Sequence, residues 1–188
     1  MRALPTDIPD VVCLEPQVFR DERGFFLESF SRRTLERLGI AADFVQENHS
    51  RSRRHVLRGL HYQIEHAQGK LVRVVVGEVL DVAVDLRRGS PSFGRYVSAV
   101  LSAENMRMMW IPPGFAHGFF VRSEQAEFIY KATDYYWPQH ERAVSWRDPA
   151  LSIDWGIPAG ATPVLSDKDR AAPPLTAVET YALTPARM

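Results

Sequence analysis

The sequence predicts a mainly β protein of the sandwich or barrel type, and three observations support this class. Within residues 71–87, Leu80, Val82 and Val84 alternate with polar or small residues, as in a strand with one buried face. Other short runs are rich in β-branched and aromatic residues, which favour strands. Turns containing glycine or proline separate these runs, a rhythm typical of sandwiches and barrels. Helices are expected to be few and short.

The elements follow in order along the chain. The predicted strands are 11–14, 24–30, 44–48, 56–63, the two arms of 71–87 on either side of Gly77, 95–101, 108–111, 118–121, 127–133 and 143–146. One short helix is predicted at 32–38, with Ser31 as its N-cap and Gly39 as its stop, and a further turn at 103–106.

Length and composition indicate one domain. The 188 residues fit a single core, so we expect one domain over 1–188. Prolines become frequent after Pro158, and 158–188 is expected to be irregular chain that wraps the barrel. The 23 basic and 23 acidic residues balance, which argues against binding to nucleic acid or to an anionic membrane.

The compartment is predicted from two features. The single cysteine, Cys13, excludes an internal disulfide framework and fits a reducing compartment. The N-terminal residues lack the apolar run of a secretory signal, and no stretch is long and apolar enough to span a membrane. A cytoplasmic protein is therefore expected.

The segment 56–63 (VLRGLHYQ) contains the first candidate for chemistry. Arg58 and His61 would lie on opposite faces of an ideal strand, unless Gly59 marks a bulge that brings them together. His61 has the side chain whose pKa suits proton transfer near neutral pH, although a histidine in a strand is often only a structural hydrogen-bonding group.

A metal site is a rival interpretation. Pro112, Gly114 and His117 have the spacing of the second motif of metal-binding cupin barrels. The stretch matching the first motif is His61-Tyr62-Gln63, which lacks the second histidine and the glutamate that such a site requires. We therefore predict no metal and keep a metal-dependent cupin enzyme as an alternative.

The segment 127–137 (EFIYKATDYYW) is dense in aromatic residues. Tyr130 and Tyr136 would face the same side of a regular strand. A tyrosine can donate a proton, and another can stack on a nucleobase. Filling of a barrel wall explains the same pattern equally well.

Together with 19–28 (FRDERGFFLE) and 165–169 (LSDKD), these motifs resemble the dTDP-4-dehydrorhamnose 3,5-epimerase family in order and spacing over about residues 8–174. The resemblance implies a cupin-like double-sheet β-barrel, a jelly roll, that works without metal or cofactor. It implies an isomerase that inverts C3 and C5 of dTDP-4-dehydro-6-deoxy-D-glucose, a step of dTDP-L-rhamnose biosynthesis. Both carbons adjoin the C4 ketone, so each inversion needs a base, an acid and a group that stabilises an enolate.

The resemblance also implies roles for individual residues. His61 is the expected base, Asp169 its orienting carboxylate, Tyr130 the acid and Lys70 the cation beside the enolate oxygen. The expected substrate contacts are Arg23, Phe26, Glu28, Gln46, Glu47, Asn48, Arg58, His117, Tyr136, Glu141 and Lys168, with Tyr136 stacking on thymine. Similar proteins are homodimers in which the N-terminal strand region of one subunit helps to build the other's site, so we expect Arg23 and Phe26 to act in the partner's site.

Two further alternatives stay open. Relatives with the same motifs invert only C3 or only C5, and the sequence separates them poorly. A sugar-nucleotide-binding barrel without catalysis would also have this fold, since a fold alone does not define a function.

Overall fold

The computed structural model describes residues 1–182 and confirms the mainly β class and its short helices. The strands are β1 Arg2–Leu4, β2 Val12–Glu15, β3 Val18–Asp21, β4 Gly24–Leu27, β5 Gln46–Arg53, β6 Leu57–Gln63, β7 Lys70–Val76, β8 Glu78–Asp85, β9 Arg87–Arg88, β10 Tyr96–Ser102, β11 Met108–Ile111, β12 Phe115–Val121, β13 Gln125–Ala132, β14 Glu141–Ala143 and β15 Tyr181–Ala182. The helices are α1 Arg32–Arg37 and α2 Asp167–Arg170, with 3₁₀ turns at Pro138–His140 and Leu175–Ala177.

Two antiparallel sheets form the barrel. One has the strand order β1-β2-β11-β7-β13-β5, and the other has the order β10-β8-β12-β6-β14. In the described part of the chain, strands β3 and β4 pair only with each other, and β9 pairs in parallel with β15. Because most neighbours in each sheet are distant in sequence, the connections cross between the sheets, as the predicted double-sheet jelly roll requires.

Apolar side chains are buried in three layers. The central layer lies between the two sheets and includes Val72, Phe119 and Phe128. A second layer covers the outer face of the five-stranded sheet, where Trp155 packs. A third lies on the outer face of the other sheet, where α1 contributes Leu35. Each fully buried side chain of this size contributes about 1.5–3 kcal/mol, so both sheets are stabilised from two sides.

The prediction of one buried face for the strand around Leu80 is wrong. Every residue from Val79 to Asp85 in β8 is buried. The odd-numbered side chains, including Asp81, face the space between the sheets, and the even-numbered ones contact chain from the C-terminal part of the sequence. Alternation in β8 therefore separates a barrel interior that tolerates polar groups from an apolar outer face.

Several boundaries differ from the predicted ones. The predicted strand 24–30 ends at Leu27, because β4 is the second arm of a tight hairpin whose first arm, β3, was not predicted. The strand predicted at 44–48 is β5, which extends to Arg53 because all its residues pair with β13. The strand predicted at 143–146 is β14, which instead begins at Glu141 beside Gln63.

The helix predicted at 32–38 is α1. Ser31 caps it by accepting a hydrogen bond from the Thr34 backbone N–H at 3.3 Å, and Gly39 follows it with a φ of +83°. Of the predicted irregular segment 158–188, residues 183–188 lie outside the described part, and residues 158–182 contain α2, one 3₁₀ turn and β15. Over residues 1–182, no helix has both the length and the apolar character needed to cross a bilayer.

Candidate active site

A cavity of about 230 Å³ opens between the two sheets and collects most of the residues predicted for catalysis. Its wall contains Asn48 from β5, Arg58 and His61 from β6, Lys70 from β7, His117 from β12 and Tyr130 from β13, together with Phe119 and Phe128. His61 and Tyr130 belong to different sheets, so their side chains approach the cavity from opposite walls.

A bulge in β6 brings Arg58 and His61 to the same cavity. The register of the β6–β12 pairing shifts between the two residues, as the bulge predicted at Gly59 requires. Gly59 has a φ of +124°, and a Cβ there would lie 2.5 Å from the Gly118 Cα. Both strands thus need glycine at this crossing, because any side chain would force them apart.

His61 is held by a carboxylate from the C-terminal part of the chain. Its Nε2 lies 2.5 Å from Asp169 Oδ1, and Asp169 is only 3% exposed. Ser166 is the N-cap of α2: its Oγ accepts from the Asp169 backbone N–H and donates to Asp169 Oδ2 at 2.7 Å. Both oxygens of the carboxylate are therefore engaged, which fixes the imidazole ring.

The charge state of Asp169 follows from these contacts. Burial alone would raise the pKa of Asp169, but hydrogen bonds from His61 and Ser166 stabilise the charged form and hold the pKa below its ordinary value. Asp169 is thus an anion next to the ring, and a hydrogen bond from the imidazole to this anion leaves the other ring nitrogen free to accept a proton.

Lys70 and Tyr130 lie side by side on the six-stranded sheet. The Lys70 Nζ is 5.8 Å from the centre of the Tyr130 ring. Burial lowers the pKa of Lys70 to about 8, against the opposing charges of Asp81 and Glu141. Burial also raises the pKa of Tyr130, and a hydrogen bond with Asn48 offsets only part of that effect. The phenol is therefore a proton donor at neutral pH.

A second histidine–carboxylate pair lies deeper in the cavity. His117 Nε2 is 3.0 Å from Asp81 Oδ2 and 3.1 Å from Oδ1. His117 is 8% exposed and Asp81 is fully buried. The two residues lie on neighbouring strands, β12 and β8, so the pair is part of the sheet.

The rim of the cavity contains a chain of polar contacts. The Tyr136 hydroxyl donates to Glu141 Oε2 at 2.9 Å, and Lys168 Nζ donates to Glu141 Oε1 at 2.6 Å. Gln46 Oε1 accepts from the Tyr136 backbone N–H, and Gln46 Nε2 donates to Asn48 Oδ1. The structure therefore joins five predicted contact residues in one chain of hydrogen bonds that begins at Asn48 in the cavity wall.

Four predicted contact residues lie elsewhere in the single chain. Arg23 pairs with Asp21 in the exposed β3–β4 hairpin, where the Phe26 side chain is 70% exposed. Glu28 accepts a hydrogen bond from Thr34 of α1, and Glu47 forms an ion pair with Lys131. None of these four residues lines the cavity between the sheets.

Two residues of the site were missed by sequence reasoning. Asp81 was interpreted only as a polar position in an alternating strand. Its partner His117 lies 36 residues later in the sequence, so their pairing leaves no local signal. Ser166 had a usable signal, because a serine three residues before an aspartate at a helix start resembles a capping box.

The arrangement fits proton transfer at carbon next to a carbonyl. Within one cavity, a histidine held by a carboxylate, a tyrosine with a raised pKa on the opposite wall and a half-buried lysine can serve as a base, an acid and a cation. Residues 1–182 contain no group of three histidine, cysteine or acidic side chains placed to hold a metal ion.

Comparison with known proteins gives consistent matches over nearly the whole chain. A family model described as dTDP-4-dehydrorhamnose 3,5-epimerase matches residues 5–177. A dTDP-4-dehydrorhamnose 3,5-epimerase of Pseudomonas aeruginosa is 62% identical over 171 residues, which cover 90% of this chain and 93% of the relative.

Solved structures agree with these matches. A dTDP-6-deoxy-D-glucose-3,5-epimerase of Legionella pneumophila, in complex with dTDP-4-keto-L-rhamnose, superposes with a TM-score of 0.93 at 51% identity and covers 97% of this chain and 98% of its own. A 3'-monoepimerase of Streptomyces bikiniensis, in complex with dTDP-quinovose, has a TM-score of 0.84 at 34% identity and covers 92% of this chain and 87% of its own.

Proposed function

Since the chain belongs to the dTDP-4-dehydrorhamnose 3,5-epimerase family, we propose that it inverts C3 and C5 of dTDP-4-dehydro-6-deoxy-D-glucose and so forms dTDP-4-dehydro-L-rhamnose. The enzyme is an isomerase, and its product serves dTDP-L-rhamnose biosynthesis. The observation that carries the proposal is the His61–Asp169 pair in the cavity wall, opposite Tyr130.

Each inversion is a pair of proton transfers. His61 removes the proton from the carbon next to the C4 ketone, and the electron pair of that C–H bond becomes the enolate. The Lys70 ammonium stabilises the negative charge on the enolate oxygen. Tyr130 then donates a proton to the opposite face of the carbon, which completes the inversion. Because no electron leaves or enters the substrate, the reaction needs no redox cofactor.

Asp169 acts through His61 and is a positioning residue. As a buried anion it favours the ring tautomer whose free nitrogen accepts the substrate proton, and it stabilises the imidazolium that forms. The second inversion requires that the imidazolium lose its proton and the phenol regain one, so both groups exchange protons with solvent between the two steps.

The nucleotide lies along the rim of the cavity. Arg58 and Lys168 offer positive charge to the diphosphate, and Tyr136, half exposed, offers its ring to the thymine. His117, Glu141, Gln46 and Asn48 provide hydrogen-bonding groups around the sugar and the base.

A homodimer accounts for the contact residues that lie away from the cavity. Within residues 1–182 the β3–β4 hairpin pairs with no other strand, and it exposes Phe25 and Phe26 by 59% and 70%. Exposed aromatic rings in a hairpin of this kind suit an interface with a second subunit. Arg23 and Phe26 then complete the partner's site.

The organisation of the chain and its compartment are also part of the proposal. We propose one epimerase domain over 1–188, in which residues 158–182 wrap around the barrel. Residues 183–188 lie outside the described part of the chain. The cytoplasm fits the single cysteine, Cys13, which is buried and unpaired with any other thiol.

Deuterium exchange tests the chemistry directly. The protein is incubated with dTDP-4-dehydro-6-deoxy-D-glucose in deuterated water, and deuterium at each sugar carbon is followed by NMR. We expect incorporation at both C3 and C5, and its loss in His61→Ala. His49→Ala is the matched control, because His49 lies on the exposed edge of β5 and contacts Glu127 rather than the cavity.

The other outcomes separate the alternatives. Exchange at one carbon only would identify a monoepimerase, the activity named for the Streptomyces bikiniensis relative. Tight dTDP binding without exchange would identify a binding barrel. Activity that disappears with a chelated metal ion and returns with that ion would overturn the mechanism.

A further inference from the structure

Gln63 is a buried polar residue that has no role in the chemistry described above. It lies in β6 two residues after His61, and its side chain is 3% exposed. Its amide nitrogen donates to the carbonyl oxygens of His66 at 2.7 Å and Tyr135 at 3.2 Å, and its amide oxygen accepts from the Trp137 backbone N–H at 2.8 Å. Both amide protons and the oxygen are thus used on backbone groups.

These contacts fall on the two sides of Tyr136. The ladder of β13 ends at Ala132, and the 3₁₀ turn begins at Pro138, so residues 133–137 belong to no strand or helix. Gln63 binds the residue before Tyr136 and the residue after it, and Gln46 accepts from the Tyr136 backbone N–H itself at 3.0 Å. Side-chain amides therefore supply the hydrogen bonds that neighbouring strands would otherwise give this backbone.

We propose that Gln63 is a positioning residue for the nucleobase, because it holds the backbone on both sides of Tyr136 at a fixed distance from His61. The inference rests on the proposed function, in which Tyr136 stacks on the thymine. The inference adds Gln63 to the binding site as a residue that contacts neither the nucleotide nor the sugar.

The geometry predicts which kinetic quantity Gln63 controls. Side chains two residues apart in a strand point to the same side, so β6 carries the base and the anchor of the Tyr136 loop on one rigid element. Loss of the anchor lets the tyrosine ring move, which weakens binding of the base. His61, Asp169 and Tyr130 keep their positions, so proton transfer in the saturated enzyme is retained.

A double-mutant cycle tests this coupling. The affinity for dTDP is measured by calorimetry for wild type, Gln63→Ala, Tyr136→Ala and the double variant. We expect each single change to lower the affinity for dTDP roughly tenfold. Once Tyr136 is already alanine, we expect Gln63→Ala to change that affinity less than about twofold. A double variant whose loss of dTDP affinity equals the product of the two single losses would overturn the proposal.

Two readouts separate positioning from a general loss of structure. The affinity for inorganic pyrophosphate, which has no base, is expected to stay within about twofold in Gln63→Ala. The KM for the sugar nucleotide is expected to rise while the deuterium exchange rate at saturation is retained. Equal losses for pyrophosphate and dTDP, or a fall in the saturated exchange rate with an unchanged KM, would contradict the role.

A matched control contacts the same loop. Gln68 donates its side-chain amide to the Asp134 carbonyl at 2.9 Å, but it contacts neither neighbour of Tyr136. Gln68→Ala is expected to leave the affinity for dTDP within about twofold. A loss as large as that of Gln63→Ala would assign the effect to the loop as a whole and overturn the specific role of Gln63.

A second variant covers the case in which Gln63→Ala does not fold. Gln63→Glu keeps the size of the side chain and the acceptor for the Trp137 N–H, but it removes both donors and places a carboxylate against two carbonyl oxygens. Gln63→Glu is expected to lower the affinity for dTDP, and to do so only while Tyr136 is present. If wild type itself fails to bind dTDP or to exchange, the proposed function fails; if wild type does both and the cycle is multiplicative, only this inference fails.

Discussion

Two histidine–aspartate pairs meet in one cavity, and they are built from different parts of the molecule. His117 and Asp81 lie on adjacent strands of one sheet, with exposed fractions of 8% and 0%. The His61 side chain is 26% exposed, and its partner Asp169 comes from a four-residue helix 108 residues later in the chain. The first pair is part of the barrel, and the second joins the barrel to its C-terminal covering.

This difference indicates different functions for the same pair of residue types. A base must contact the substrate and exchange protons with solvent, which requires the partial exposure of His61. The buried pair His117–Asp81 places a fixed carboxylate near Lys70, where the charge of Asp81 raises the lysine pKa against the larger lowering effect of burial. We therefore propose proton transfer for the His61–Asp169 pair and electrostatic support for the His117–Asp81 pair.

The largest expected effect distinguishes the two carboxylates. Asp169→Asn replaces the orienting anion with an amide that can favour the wrong tautomer of His61, so the deuterium exchange rate should fall by about a thousandfold. Asp81→Asn should lower it by about tenfold, because it changes only the field around Lys70. Both variants should retain a cooperative melting transition. Equal losses in the two variants would show that the pairs share one role.

A pH profile sharpens the comparison. Because burial lowers the pKa of Lys70 to about 8, the ammonium is present below that pH and is lost above it, and kcat/KM should decline as pH rises through about 8. Asp81→Asn removes a charge that favours the ammonium, so this decline should move to lower pH. Asp169→Asn should leave its position unchanged.

Lys70→Arg provides the control for that profile. Arginine stays protonated over the whole range, so the decline above about pH 8 should disappear even if the maximal rate is lower. A decline that persists at the same pH in Lys70→Arg would assign it to another group.

The smallest expected effect compares two helix caps. Ser166 caps α2 and donates to Asp169, whereas Ser31 caps α1, which packs on the outer face of the other sheet. Replacing either serine by alanine should destabilise the protein by about 1 kcal/mol, measured by thermal unfolding. Only Ser166→Ala should also slow exchange, by several-fold, because it frees one oxygen of Asp169. A rate loss in Ser31→Ala would show that stability alone explains the effect.

The sequence predicted the barrel well where the signal was local. Strand 108–111 and the cap of α1 at Ser31 depend on neighbouring residues, and both lie where they were predicted. The pattern around Leu80 was misinterpreted because the chain that covers its outer face lies more than 60 residues away, and alternation alone cannot distinguish a solvated face from one covered later.

In the candidate site, too, features with a local sequence signal were predicted and features that depend on distant residues were not. The bulge at Gly59 was predicted because a glycine between two candidate residues is a local feature, and the structure has it. Asp81 was not identified, since its role depends on the register between β8 and β12. The roles of Arg23 and Phe26 remain predictions, because residues that act in a second subunit cannot be placed by the fold of one chain.

If Asp169 orients the base as proposed, its place in the sequence also determines when the enzyme becomes active. Every strand of the two large sheets lies before Asp169 in sequence, so ribosomal synthesis completes the barrel strands before the carboxylate proposed to orient the base exists. The same order applies to damage: a protease that cuts between β14 and α2 and releases the C-terminal piece leaves the strands of both sheets but removes the partner of His61. Activity therefore requires that the chain be synthesised through Asp169, that this segment pack on the barrel, and that it stay attached.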